Sequence, residues 1–205
     1  PTPGALVLVA GRVRENDGLQ PNIHHVTDTV YRLFLAHGYD DGQIMYLATD
    51  TGLHGVDALA TRDNLRAAIS TWAQDKVGPN RPLTLYMMDH GNHDRFYLDN
   101  PRGETVSPQD VDDWLDDLED AAPGLKVNVI IEACYSGSFI DPAQTVSKPG
   151  RVVIASAGAW QSARASEEGA IFSDHFVAAL EQDESLYASF QTADWAVRAA
   201  HRDQT

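Results

Sequence analysis

Short, almost wholly apolar runs alternate with longer amphipathic stretches from one end of this chain to the other. Ala5-Leu6-Val7-Leu8-Val9-Ala10, Gln43 to Ala48, Leu83-Thr84-Leu85-Tyr86-Met87-Met88, Lys126 to Glu132 and Arg151 to Ser156 read as five strands. A strand without a polar face must be covered on both sides, as parallel strands are. Between them, Ile23, Val26, Val30, Leu33 and Phe34 recur at helical spacing, with Asn22 as the expected cap and Gly38 as the stop. Thr61 opens a second helix through Leu65, Ala68, Ile69 and Trp72, closed near Gly78. Ser107-Pro108 starts a third, a capping hydroxyl followed by Pro in the first turn. Ala170 to Glu181 and Ser185 to Ala200 close the chain as helices, and Arg95 to Asp99 alternates like one arm of a surface hairpin. Such alternation predicts an α/β fold with a mostly parallel central sheet and helices on both faces. No linker or repeat interrupts it, so residues 1–205 read as a single domain.

Composition narrows the function. With 43% hydrophobic residues in 205, a packed core is accessible and wholesale disorder is excluded. The formal charge of -15 repels phosphate backbones and anionic lipid, so neither nucleic acid nor a membrane surface is an expected partner. No apolar run approaches the ~20 residues of a membrane helix. The opening Pro1-Thr2-Pro3-Gly4 has no initiator Met, so the chain reads as a piece of a longer precursor with further domains, and localisation cannot be read from it. Acids crowd the third helix (Asp110, Asp112, Asp113, Asp116, Asp117, Glu119 and Asp120), but without the glycine and alternating spacing of a calcium loop they read as a solvated face. The lone cysteine, Cys134, excludes an intramolecular disulfide and a thiolate-rich zinc site.

Two polar clusters end predicted central strands: Asp89-His90-Gly91 and Glu132-Ala133-Cys134. The carboxyl edge of a parallel sheet is where ligands bind. If the two strands are neighbours, about 5 Å apart, His90 and Cys134 emerge together as a proton-transfer group and a nucleophile. Gly91 would let its own N–H and that of Cys134 form an oxyanion hole. Glu132 projects on the same face as Cys134 and would floor a substrate pocket.

Leu85-Tyr86-Met87-Met88-Asp89-His90-Gly91 with Val129-Ile130-Ile131-Glu132-Ala133-Cys134-Tyr135-Ser136-Gly137-Ser138 resembles the legumain-type cysteine peptidases of the caspase/legumain clan, in a bacterial-type catalytic domain. The two motifs lie 44 positions apart, and the likeness runs from Ala5 to about Phe176. The resemblance implies a caspase-like three-layer α/β/α sandwich. It implies peptide-bond hydrolysis through an acyl-thioester on Cys134, with His90 protonating the leaving amine and the Gly91 and Cys134 amides holding the oxyanion. No metal and no organic cofactor is implied, and the partner is a protein or peptide substrate. Asp89 matches the acid before the catalytic His; Ser156, Ala157 and Gly158 match a segment that pairs with extended substrate, with Trp160 as a pocket wall. The asparagine pocket of legumains joins the acid matched by Glu132 to an Arg-His pair, where this chain has Asn22-Ile23, with His24-His25 just beyond as surface residues. The motif leans towards cleavage after Asn (or Asp), with Arg or Lys as the alternative.

Other chemistries fit less well. Asp89-His90-x-x-His93-Asp94 packs four potential ligands into six positions, but its spacing suits a helix and the segment leaves a strand through Gly91-Asn92. A cysteine phosphatase needs Arg where Ile140 stands, and no Gly-x-Ser-x-Gly elbow is present. A transpeptidase or ligase, in which an amine intercepts the acyl-enzyme, and an inactive caspase-like binding module remain the alternative functions.

Overall fold

The structure, a computed structural model, describes residues 3–141 and 146–202. All five expected strands form and pair in parallel: β1 (Ala5–Ala10), β2 (Ile44–Ala48), β4 (Leu83–Met88), β8 (Val127–Glu132) and β9 (Arg151–Ala155). A two-residue strand, β3 (Ala58–Leu59), extends one edge, giving the order β3-β2-β1-β4-β8-β9. The chain builds outward from β1 in one direction and then, from β4, in the other. The crevice between the carboxyl ends of β1 and β4 is thus a topological switch point, where α/β sheets bind ligands. A separate antiparallel sheet, β5 (Gly91–Asn92), β6 (Arg95–Asp99) and β7 (Glu104–Val106), follows directly on His90.

Every residue of β1 and β4 is buried. Alternate side chains serve opposite faces. Val7, Val9, Leu85, Met87, Val129 and Ile131 pack with Leu65 and Ile69 of the second helical segment and with Val111, Leu115 and Leu118 of α3 (Pro108–Ala121). Leu6, Leu8, Tyr86, Met88 and Ile130 pack with Val26 and Val30 of α1 (Gln20–Ala36) and with Phe172 and Phe176 of α4 (Ile171–Leu180). The outcome is the expected α/β/α sandwich, with α2 (Arg62–Ala67) beside α3 and α5 (Leu186–Arg202) beside α4. Among the described residues no helix is long and apolar enough to cross a membrane.

Local rules held at some ends and yielded at others. Thr61 and Ser107 cap α2 and α3 through their side chains, and Gly38, at φ +87°, follows the end of α1. Asn22 does not cap α1; the helix starts two residues earlier with Pro21 in its first turn. The acidic face of α3 is only partly solvated. Asp112, Asp116 and Glu119 recur on one face and surround the fully buried side chain of Arg151, with contacts of 2.6–2.9 Å.

The core also stores an alkaline liability. Tyr46 is buried with its hydroxyl 2.6 Å from Thr27 Oγ1, and burial pushes its pKa up to about 12. A phenol raised from 10 in this way contributes stability that is whole below pH 10 and is lost as pH rises through 12. Two units correspond to about 2.7 kcal/mol. Urea unfolding at pH 9, 10, 11 and 12 should therefore show a steep fall for the native chain and a shallower one for Tyr46→Phe; equal slopes would contradict it.

Candidate active site

Strands β4 and β8 pair in register, Met88 opposite Glu132, so His90 and Cys134 each lie two residues beyond the same rung. The backbone keeps that contact past the strand ends, with the Asp89 N–H donating to the Glu132 carbonyl. Gly91 is needed there, since a Cβ on it would lie 2.5 Å from the Cys134 carbonyl oxygen. His90 and Cys134 share the wall of a cavity of about 150 Å³ with Asp89, Glu132, Asn22, Ala163, Arg164 and Gly169. The Cys134 side chain is half-buried, its Sγ 4.0 Å from the Ala163 carbonyl oxygen.

The residues after Cys134 explain their own sequence. Tyr135 adopts φ +59°, a left-handed conformation that costs a non-glycine residue about 1 kcal/mol, and so turns the chain sharply behind the cysteine. Its N–H donates to the Gln161 carbonyl over 2.7 Å. Ser138 Oγ, fully buried, donates to the Tyr135 carbonyl and accepts the Asp94 N–H, tying the cysteine loop to the histidine loop. Ser136 Oγ donates to the Ala157 carbonyl and accepts the Ala157 N–H, tying the same loop to the segment after β9. Gly137 passes so close to that segment that a Cβ would lie 2.6 Å from the Ala159 nitrogen.

Glu132 is buried at the cavity's base, where its Oε2 accepts from both the N–H and the hydroxyl of Ser173 in the first turn of α4. Burial raises its pKa, while hydrogen bonds from Ser156 and Ser173 oppose the rise. It thus caps a helix and lines the cavity at once. Asn22 spans from α1 to the opposite wall, its amide donating to the Ser166 and Gly169 carbonyls. His25 is exposed, but His24 is half-buried against Gln20, and burial lowers its pKa.

Four further expected substrate contacts, Ser156, Ala157, Gly158 and Trp160, do not line this cavity. The Ser156 N–H donates to Ile131, both polar backbone groups of Ala157 are held by Ser136 and Gly137, and Gly158 is closed on itself by Gln161. These N–H groups bond within the chain, and through Ser136 and Gly137 the segment braces the cysteine loop. Trp160 does not line the cavity; it is 78% exposed and stacks on His93 with ring centroids 4.1 Å apart.

One residue at the site escaped sequence reasoning. Asp17, in the loop between β1 and α1, is buried, and its Oδ2 lies 2.7 Å from His90 Nε2. Its other oxygen accepts from the Leu19 N–H. Asp89 is buried just behind, where burial first, and then the Asp17 and Asp99 charges, push its pKa well above the carboxylate range. The signal for Asp17 is topological: it stands at the switch point beside β4, which only the strand order reveals.

Similarity to known proteins agrees with this architecture. The crystal structure of caspase-1 from Spodoptera frugiperda superposes with a TM-score of 0.65, covering 93% of this chain and 74% of that one at 12% identity, a likeness of fold. Metacaspase-1 of Lodderomyces elongisporus is 27% identical over 131 residues, covering 56% of this chain and 28% of the relative. Metacaspase-1 of Eremothecium gossypii is 27% identical over 150 residues, 67% of this chain and 32% of the relative. The chain thus spans less than a third of the length of either metacaspase. The Peptidase C13 profile matches residues 74–204, a span that holds both His90 and Cys134 and well over half of the sequence, and the chain belongs to the Peptidase C13 family.

Proposed function

We propose that this chain is a cysteine endopeptidase in which Cys134 is the nucleophile and His90 its proton-transfer partner. The observation that carries the reading is the in-register pairing of β4 with β8, which sets the two residues on adjacent strand ends around one cavity. With Nε2 of His90 against Asp17, Nδ1 is the ring nitrogen left for the thiol. Asp17 is a positioning residue: accepting the Nε2–H, once the ring turns into line, leaves the Nδ1 lone pair to take the thiol proton.

The thiolate then attacks the scissile carbonyl carbon, and the N–H groups of Gly91 and Cys134 hold the resulting oxyanion, each donor worth about 10²–10³ in rate. Collapse breaks the C–N bond, the amine leaving with the proton from His90 and the acyl group staying on sulfur. Water, giving its proton to His90, releases the acid and restores the thiol.

The residue selected at the cleaved position is asparagine. The cavity is small, and Glu132 already accepts two hydrogen bonds from Ser173. A short uncharged amide meets these conditions better than Arg or Lys. A peptide series varying only that position should show Asn turned over about 10²-fold faster than Lys or Arg, by kcat/KM. Cleavage solely after Lys or Arg would overturn the specificity. Activity that survives iodoacetamide would overturn the mechanism.

A further inference from the structure

The heart of the switch-point crevice holds more unpaired polar capacity than a peptidase dyad needs. Asp17 Oδ2, both carboxylate oxygens of Asp89 and His90 Nε2 are all buried without a hydrogen-bond partner. Asp89 is 93% buried, since only 7% of its surface is exposed. Asp17 Oδ2 and His90 Nε2 approach to 2.7 Å, yet without the alignment of a hydrogen bond. No guanidinium reaches Asp89: Arg12 grips Asp99 through Nε and Nη2, and the exposed Arg14 meets only the far oxygen of Asp17, Oδ1, over 3.4 Å. Backbone room is provided by Gly11, where a Cβ would lie 2.8 Å from Asp89 Oδ2. A buried carboxylate without a counter-charge, as Asp89 is, is costly, and a bound cation is one way to compensate it.

We infer that Asp17, Asp89 and His90 form a three-ligand site for a divalent transition-metal ion, Zn²⁺ foremost, seated behind the imidazole and distinct from the thiol. Ligand atoms of the three residues lie within 4.8 Å of one another. Around a tetrahedral Zn²⁺ with ligands at about 2.0–2.2 Å they would stand about 3.4 Å apart, reachable by small side-chain rotations. Two oxygens and one imidazole nitrogen suit Zn²⁺, whereas Ca²⁺ requires six to eight oxygens. The cation would switch the enzyme off. A metal on Nε2 uses that nitrogen's lone pair and places the ring hydrogen on Nδ1, so the ring can no longer receive the thiol proton. The inhibitory half of this inference rests on the His90–Cys134 reading; the metal site does not.

Calorimetric titration of the chelator-stripped chain with ZnCl₂ tests the two halves separately. One Zn²⁺ per chain is expected for the native protein and equally for Cys134→Ala, with affinity reduced about tenfold or more in Asp89→Asn and in Asp17→Asn. Circular dichroism of both Asn variants identifies any loss of fold, and two variants make the assignment independent of either. Co²⁺ bound to the native chain should show d–d absorption without thiolate-to-metal charge transfer. In metal-buffered assays Zn²⁺ should lower kcat about tenfold or more with KM unchanged. No binding by the native chain, binding lost in Cys134→Ala, or binding unchanged in folded Asp89→Asn and Asp17→Asn overturns the site. Zinc binding by a chain that cleaves no peptide would keep the site and sink the peptidase reading instead.

Discussion

Cys134→Ala is expected to reduce hydrolysis of an asparaginyl peptide by about 10⁴-fold or more, because the acyl-thioester has no atom on which to form. The cavity walls are otherwise intact, so the peptide should still bind within a few-fold of its native affinity. Asp17→Ala is expected to act differently. It leaves both reacting groups in place and removes only the orientation and tautomer preference of His90, costing about 10²-fold in kcat with little change in KM. Asp17→Asn should recover part of that loss, since its amide oxygen can still accept the Nε2–H. Steady-state kinetics on the three variants read all of this. Full activity in Cys134→Ala removes the mechanism, and equal damage in Asp17→Ala and Asp17→Asn, shared between kcat and KM, would mark Asp17 as structural only.

Arg151→Met should be the most damaging change far from the sheet edge that carries His90 and Cys134. The Arg151 side chain is fully buried at the start of β9 and holds Asp112, Asp116 and Glu119 of α3. Lys148 also reaches Asp112 and Asp116, but at the solvent side. Removing the guanidinium leaves Asp112, 3% exposed, short of its buried partner, and breaking a buried pair from one side costs about 3–5 kcal/mol. For a chain of this size that lowers Tm by roughly 10 °C. Replacing Arg151 together with Asp112, Asp116 and Glu119 by apolar residues or amides should recover much of the loss. A single variant that melts within 2 °C of the native chain, by the same rough scale, would show that the cluster is not a stabilising unit.

Much of this architecture was legible in the sequence because fully buried parallel strands announce themselves. Ala5 to Ala10 and Leu83 to Met88 carry no charged residue, and both strands appear with the expected bounds. His90 and Cys134 were legible for the same reason, since each follows such a run. Asp17 was not. Nothing local distinguishes an acid in the Glu15-Asn16-Asp17-Gly18 turn from any solvated loop residue, and it acquires meaning only when β1 is seen to lie beside β4. Asp112 was hidden among acids of identical type; its burial is set by Arg151, 39 positions away. The bracing contacts of Ala157 were hidden for the same reason, since its partners Ser136 and Gly137 stand about twenty positions away and meet it only in the fold.

The two serines behind Cys134 carry one more consequence. Ser138 fastens the cysteine turn to the segment that follows the histidine, and Ser136 fastens it to the stretch beyond the last strand. Three stretches remote in sequence are thereby laced into a single plate. Slackening any one of them shifts the sulfur relative to the ring, so competence should vanish as a unit on warming rather than fade loop by loop.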